Sequence, residues 1–161
     1  MINRKSGTPN EKRRQAAARQ MVEIINRQRR HKLHANTWLD FAKRALAVVN
    51  TDKSSVTIVF VSDASIRKLN QQFRGKDYPT DVLSFPTQAE AFESDNQTQL
   101  GEIIISIDRA AAQARDNGLT LDNEIQQLIL HGLLHLCGYD HETDNGEMNR
   151  LELKLRRKLR I

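Results

Sequence analysis

The residues best suited to chemistry are three histidines in the segment HGLLHLCGYDH, which spans 131–141 and holds three of the five histidines of the chain. The apolar residues before this segment predict a helix that continues through His131 and His135. Residues four apart lie one turn above each other on the same helix face, so both imidazoles can reach one ion. Gly138 can end the helix with a positive φ, which lets the chain bring His141 back as a third ligand. Three protein nitrogens that leave a fourth position open to water are typical of a catalytic zinc ion.

The same histidines allow other interpretations. Nickel, copper and iron also accept imidazole ligands, so the spacing indicates a metal more firmly than it indicates zinc. Zinc peptidases share this spacing but carry a glutamate as general base directly after the first histidine, where this chain has Gly132. A peptidase would therefore need its base elsewhere. Cys137 points away from the face shared by the histidines, and we expect it to be a small packed residue.

A second group suited to chemistry is Arg74, which stands next to Gly75 and Lys76 in a segment rich in turn-forming residues. A guanidinium matches the geometry of a phosphate and could stabilise the negative charge that develops during phosphodiester cleavage. The alternative is an ordinary solvated arginine in a turn. Thr80 and Asp81 are expected to fix this loop beside a sheet, and Asp140 either orients a ligand histidine or ends the helix.

Charge divides the chain into basic ends and a weakly acidic body. Residues 1–35 carry ten Lys and Arg against two acids, within a net charge of +5 for the whole chain, and the segment 150–160 is basic again. This pattern favours a polyanion such as nucleic acid as partner, with an anionic membrane surface or a solvated tail without a partner as alternatives. No apolar window reaches the roughly 18 residues of a membrane span. Because the chain also lacks the apolar core of a secretory signal and has one cysteine, a cytoplasmic location is expected.

The elements that must position these groups are mixed helices and strands in one domain, which we expect to cover 21–161 after a basic, flexible extension at 1–20. The predicted strands are 22–25 (with a helix as the alternative), 56–61, 82–85 and 100–107, and residues 87–99 are predicted to be a mobile loop. Helices are predicted from Asn36 or Thr37, from Asp63 with a buried stripe of Ile66, Leu69 and Phe73, from Asp108, from 121 through the histidines, and over 142–159. The expected fold is α+β, a small mixed sheet covered by helices, with a metal site at the end of a central helix.

Three blocks of this sequence together resemble the bacterial YbeY family of zinc-dependent endoribonucleases that mature rRNA. These are LNQQFRGKDYPTDVLSFP at 69–86, LGEIIIS at 100–106 and HGLLHLCGYDH at 131–141. The resemblance implies that His131, His135 and His141 bind one Zn²⁺ ion and that Arg74 is the catalytic arginine. It also implies cleavage of single-stranded RNA, maturation of the 3′ end of 16S rRNA, ribosome quality control, and contact with the small ribosomal subunit and its assembly factors.

Two departures and two questions accompany this resemblance. Residues 1–20 look like an addition to the usual start of the family, and Glu102 stands where many members have Asp. No dedicated general base is apparent in the sequence, and either metal-activated water or the 2′-hydroxyl of the RNA could be the nucleophile. A ribosome-assembly binding protein with a mainly structural zinc is the alternative function from another class.

Overall fold

The computed structural model describes residues 21–49, 51, 55–87 and 99–161. The predicted extension at 1–20 and most of the predicted loop at 87–99 lie outside the described residues. Four strands and five helices occur within the described residues, numbered here in chain order. They are β1 (Met21–Asn26), α1 (Ala35–Val48), β2 (Ser55–Val61), α2 (Asp63–Arg74), β3 (Val82–Pro86), β4 (Gln99–Ser106), α3 (Ile107–Asp116), α4 (Leu121–Leu136) and α5 (Glu147–Leu159).

The four strands form one mixed sheet with the order β1-β2-β4-β3. The pairs β1–β2 and β2–β4 are parallel, whereas β3 runs antiparallel to β4, with Val82 opposite Ile105 and Phe85 opposite Glu102. The two central strands, β2 and β4, are the β-branched runs of the sequence, because strands covered on both faces need apolar residues throughout. The predicted small mixed sheet covered by helices is confirmed, and the segment 22–25 lies in a strand rather than a helix.

The sheet is covered unequally on its two faces. The larger core lies between β2 and β4 and the helices α1, α4 and α5, where Trp38, Phe60 and Ile103 are almost completely buried. The smaller cluster on the opposite face packs Ile66 of α2 against alternate residues of the strands, including Val59 and Ile104. Because successive side chains of a strand point to opposite faces, each central strand contributes to both clusters.

The histidine-bearing helix α4 begins at Leu121 as predicted, whereas the caps of α2 and α3 differ from the predicted ones. Ser62, Ser106 and Thr120 cap α2, α3 and α4 by accepting a hydrogen bond from a backbone N–H three residues later. Neither Asp63 nor Asp108 is the cap, because both serve contacts between elements. Asp108 Oδ2 accepts from the backbone N–H of Asp63 at 3.0 Å, and Asp63 Oδ1 accepts from the Ser106 hydroxyl at 2.6 Å.

Three further expectations about the helices were wrong. Helix α1 has His34 at its N-cap, without a side-chain hydrogen bond, rather than Asn36 or Thr37. Phe73 does not belong to the buried stripe of α2, since 57% of it is exposed. Helix α5 begins at Glu147 rather than near 142: its N-cap is Gly146, and the carboxylate of Asp144, just before it, accepts from the backbone N–H groups of Gly146 and Met148, both at 2.7 Å.

Candidate metal centre

The three histidines of the sequence motif converge on one point. His131 and His135 lie on the last turns of α4, and His141 lies in the loop that follows. Their ring centroids are 4.7, 5.2 and 5.4 Å apart, and one nitrogen from each ring lies within 4.8 Å of those from the other two. Two nitrogens that share a tetrahedral ion at about 2.0–2.1 Å lie about 3.3 Å apart, and the Nε2 atoms of His131 and His135 are 3.1 Å apart. Both the spacing and the all-imidazole donor set suit a zinc ion.

The loop that returns His141 is organised by its own backbone and carboxylates. Gly138 has φ 91°, a conformation in which a side chain would be strained, as predicted for the end of this helix. Asp140 then accepts from the backbone N–H of Glu142 at 3.0 Å through its carboxylate, and its carbonyl accepts from Thr143 and Asp144. Asp140 is therefore a turn residue, the second of the two roles considered for it.

A buried carboxylate that sequence reasoning missed holds the first histidine. Glu152 of α5 is 6% exposed, and its Oε2 lies 3.0 Å from Nδ1 of His131. Its other oxygen accepts from Nε of Arg156 at 3.1 Å. This contact leaves Nε2 of His131 to face the other two rings, the usual arrangement in which a carboxylate fixes the tautomer and orientation of a ligand histidine. The available signal was an acidic residue on the inward stripe of α5, four residues after Met148 and three before Leu155.

Electrostatics at the site favour the ligand form of its side chains. Burial lowers the pKa of His135, and the neighbouring rings of His131 and His141 lower it further. A neutral imidazole with a free lone pair is the form that binds a metal. Burial acts to raise the pKa of Glu152, but the hydrogen bonds from His131 and Arg156 outweigh it and hold the pKa below its ordinary value. Glu152 is therefore ionised and can stabilise a partner N–H.

The histidines open into a cleft of about 810 Å³ that also contains Arg74. Arg74 is the last residue of α2, and its exposed side chain has no hydrogen bond or ion pair with any other described residue. Lys76, from the loop after α2, lines the same cleft. The two groups that sequence analysis singled out separately, the triad and Arg74, thus face one space.

Asp81 fixes the loop between α2 and β3, as expected from its turn chemistry. Its Oδ1 accepts from the Thr80 hydroxyl at 3.2 Å and from the Val82 backbone N–H at 2.8 Å, and its Oδ2 accepts from the side-chain amide of Gln113 at 3.1 Å. Asp81 is therefore occupied in tying this wall of the cleft to α3.

Gly132 allows a close approach of α4 to β4. A Cβ at this position would lie 2.7 Å from Cγ2 of Ile103, so a side chain here would force Ile103 or the helix to shift. Cys137 packs against the core as predicted, and Glu102 is exposed on β4, among residues that do not line the cleft.

Fold and site together define a small α+β protein in which three histidines that could hold a metal ion line an open cleft. None of the helices in the described part of the chain is long and apolar enough to cross a membrane. A family model described as Endoribonuclease YbeY matches residues 19–160. The chain therefore belongs to the YbeY family.

Individual relatives agree with this family. The chain is 50% identical to Endoribonuclease YbeY of Nautilia profundicola over 69% of its own length and 76% of the relative. It is 38% identical to Endoribonuclease YbeY of Geobacter metallireducens over 84% of this chain and 91% of the relative. The solution structure of TM1509 from Thermotoga maritima is similar with a TM-score of 0.54 and 32% identity, and the match covers 86% of this chain and 89% of that one.

Proposed function

We propose that this protein is a zinc-dependent endoribonuclease that cleaves single-stranded RNA. His131, His135 and His141 hold one Zn²⁺ ion, and Arg74 contacts the phosphate to be cleaved. One arrangement carries the proposal: the triad and Arg74 line the same cleft in a chain whose relatives are named endoribonucleases.

The groups of the chain divide the work by their positions. A zinc ion bound to three imidazoles supplies an acidified water or a polarised phosphate oxygen. Glu152 holds the ring of His131 through Nδ1, so that Nε2 of this ring stays directed at His135 and His141. The guanidinium of Arg74, which has no partner among the described residues, can donate two hydrogen bonds to one phosphate and stabilise its developing negative charge.

In the cell, the proposed substrate is rRNA. The activity then serves maturation of the 3′ end of 16S rRNA and ribosome quality control, in the cytoplasm, together with the small ribosomal subunit and its assembly factors. The basic segment 150–160 and the basic first 35 residues favour such polyanionic partners. Residues 21–161 form the endoribonuclease domain in this proposal, with 1–20 as an added basic segment.

An Arg74→Ala variant tests the role of the arginine. Loss of a positioned donor to a developing anion is expected to reduce the rate of RNA cleavage by about 100-fold or more. Arg115→Ala is the matched control, because Arg115 is also an exposed arginine in the last turn of a helix but lies outside the residues that line the cleft. Metal content and melting temperature should be unchanged in both variants. If Arg74→Ala abolishes cleavage while 16S rRNA still matures in cells, the proposed cellular role as a nuclease is wrong.

The metal is tested by elemental analysis of protein purified without a histidine tag. We expect one zinc per chain, loss of RNA cleavage with a chelator, and recovery when zinc is restored. Protein that cleaves RNA at full rate without stoichiometric metal would overturn the mechanism. The ends of the products identify the nucleophile, since a 2′,3′-cyclic phosphate indicates attack by the 2′-hydroxyl.

A further inference from the structure

Exposed aromatic side chains are concentrated around the histidine cleft. Five large apolar side chains are exposed among the described residues, and the three aromatic ones are Phe73 (57%), Tyr78 (54%) and Tyr139 (38%). All three line the cleft that contains the triad, and the two tyrosines are the only ones in the chain. The other two exposed side chains, Met21 and Leu153, lie away from it. An exposed apolar surface rimmed by polar groups indicates a binding site.

The residues that carry these exposed rings make packing contacts or backbone hydrogen bonds with neighbouring elements. Phe73 packs edge-to-face against Phe85 with centroids 5.0 Å apart. The carbonyl of Tyr78 accepts from the side-chain amide of Asn70 at 2.8 Å, and the preceding Asp77 accepts two hydrogen bonds from Arg67 at 2.8 and 2.9 Å. The backbone N–H of Tyr139 donates to the carbonyl of Leu134 at 3.1 Å. The rings are thus presented to the cleft by an ordered framework, so a ligand would not have to order the loops.

Two cationic side chains lie among the exposed rings of the cleft and can contact phosphates. Arg74 and Lys76 lie among the aromatic residues and are exposed. Three carboxylates also line the cleft: Asp81 and Asp140 accept hydrogen bonds from groups of their own loops, and Glu142 is exposed. Cationic groups interleaved with exposed rings are the combination by which proteins bind single-stranded nucleic acid, because the cations hold phosphates and the rings stack on bases.

We propose that Phe73, Tyr78 and Tyr139 are stacking sites for unpaired nucleobases and position the strand at the metal centre. This inference rests on the proposed endoribonuclease function. The rings require a base with an open face, so a duplex, whose bases are already stacked, cannot use them. Selection for single strands is thereby assigned to three side chains rather than to the width of the cleft.

Equilibrium binding to the zinc-loaded protein tests the proposal. The probe is a fluorescein-labelled 12-nucleotide RNA with 2′-O-methyl groups, compared with the same backbone carrying abasic sites. Replacing one ring by alanine is expected to weaken binding of the probe with bases by about 5- to 100-fold. It should leave binding of the abasic backbone unchanged, because the phosphate contacts remain. A ring variant that weakens binding to both probes equally would overturn the proposal.

Conservative variants separate stacking from simple apolar contact. Tyr78→Phe and Tyr139→Phe keep a ring and should bind like the unmodified protein, whereas Tyr78→Leu and Tyr139→Leu keep apolar surface and should bind as weakly as alanine. Leu153→Ala is the control for an exposed apolar residue outside the cleft. If the leucine variants bind normally, or if the variants change the oligomeric state in sedimentation and not RNA affinity, the rings serve another partner and the proposal fails.

The same series distinguishes this inference from the proposed function. If all ring variants cut unmodified RNA at the normal rate and bind both probes as the unmodified protein does, the stacking proposal is wrong and the proposed nuclease function stands. Absence of any metal-dependent cleavage by the unmodified protein would remove the nuclease itself and, with it, the inference.

Discussion

Removing the carboxylate of Glu152 is expected to weaken metal binding without changing a single ligand. The side chain is 9% exposed, and its Oε2 lies 3.0 Å from Nδ1 of His131, while Nε2 of the same ring faces the other histidines. Without this partner the ring can rotate or adopt the other tautomer, so part of the binding free energy must be spent on orienting it. The variants Glu152→Gln and Glu152→Ala remove the charge alone and the whole acceptor, respectively.

The magnitude follows from one hydrogen bond to a charged group. Such a bond contributes about 1.5–3 kcal/mol, and each 1.36 kcal/mol corresponds to roughly a tenfold change in an equilibrium constant. The expected increase in the zinc dissociation constant is therefore about 10- to 100-fold, which is also the usual effect of losing a carboxylate behind a metal ligand. Glutamine keeps an acceptor oxygen, so Glu152→Gln should raise the zinc dissociation constant by about 10-fold, and Glu152→Ala by about 100-fold.

Competition titration with a chromophoric chelator measures this constant, and thermal melting of the metal-free protein reports any damage to the fold. Glu142→Gln is the matched control, since it removes an equal charge from an exposed position next to His141 without removing a hydrogen bond to a ring. An unchanged zinc dissociation constant in both Glu152 variants would refute the reasoning. An equal weakening in Glu142→Gln would show that net charge, rather than orientation of His131, is responsible.

Three other perturbations test the parts of the fold that support the site. Gly132→Ala places a Cβ 2.7 Å from Ile103, so we expect a loss of about 1–3 kcal/mol in the free energy of unfolding. Combining it with Ile103→Ala should cost less than the sum of the two single losses, and strict additivity would disprove the clash. Burial, reinforced by Asp81, raises the pKa of Glu124, so the folded state holds this proton more tightly and stability is lost as the pH rises from about 4.3 through the folded pKa. Glu124→Gln should therefore raise the urea midpoint at pH 7.5 and change it little at pH 4, and the opposite pattern would contradict this. The backbone N–H of Asp63, with His31 and Arg30, lowers the pKa of Asp108, so its stabilisation is present above about pH 3.9 and is lost as the pH falls through the folded pKa. Asp108→Asn should cost about 1–2 kcal/mol at pH 7, and the difference in urea unfolding should shrink at acid pH rather than grow.

The spacing of apolar residues along the sequence was sufficient to predict most of the fold. It indicated the central strands β2 and β4 through their β-branched runs, and the helices α1 and α4 through their apolar periodicity. These predictions held because the apolar residues of these elements are the ones buried in the core. Prediction from this spacing failed where an element meets something distant in sequence. Phe73 has the right spacing for the buried stripe of α2, but the last turn of this helix meets Phe85 of the edge strand β3 instead of the core. The prediction that Asp63 and Asp108 cap their helices was wrong because a preceding serine caps each helix. The two carboxylates instead accept hydrogen bonds from other elements.

Part of the candidate site could likewise be predicted from the sequence, and part could not. The three histidines come from one short segment, so helix geometry and one glycine were enough to bring them together. Their proximity to Arg74 depends on how α2 and α4 sit on the sheet, and only the family resemblance linked them in advance. Glu152 was missed because no local signal states which turn of α5 lies opposite His131. Phe73, one of the aromatic residues around the cleft, was predicted to be buried because its helical spacing does not show where the end of α2 lies on the sheet.

The closeness of the three histidines in sequence has a thermodynamic consequence for the unfolded chain. All three lie within eleven consecutive residues, so a denatured segment can still gather them around an ion without any tertiary structure. A ligand stabilises a fold only through its preference for the folded state, and affinity for the unfolded chain subtracts from that preference. What folding adds is the part that comes from elsewhere, namely Glu152 behind His131 and the ordered return of His141. Zinc should therefore raise the melting temperature by less than its affinity for the native site would suggest.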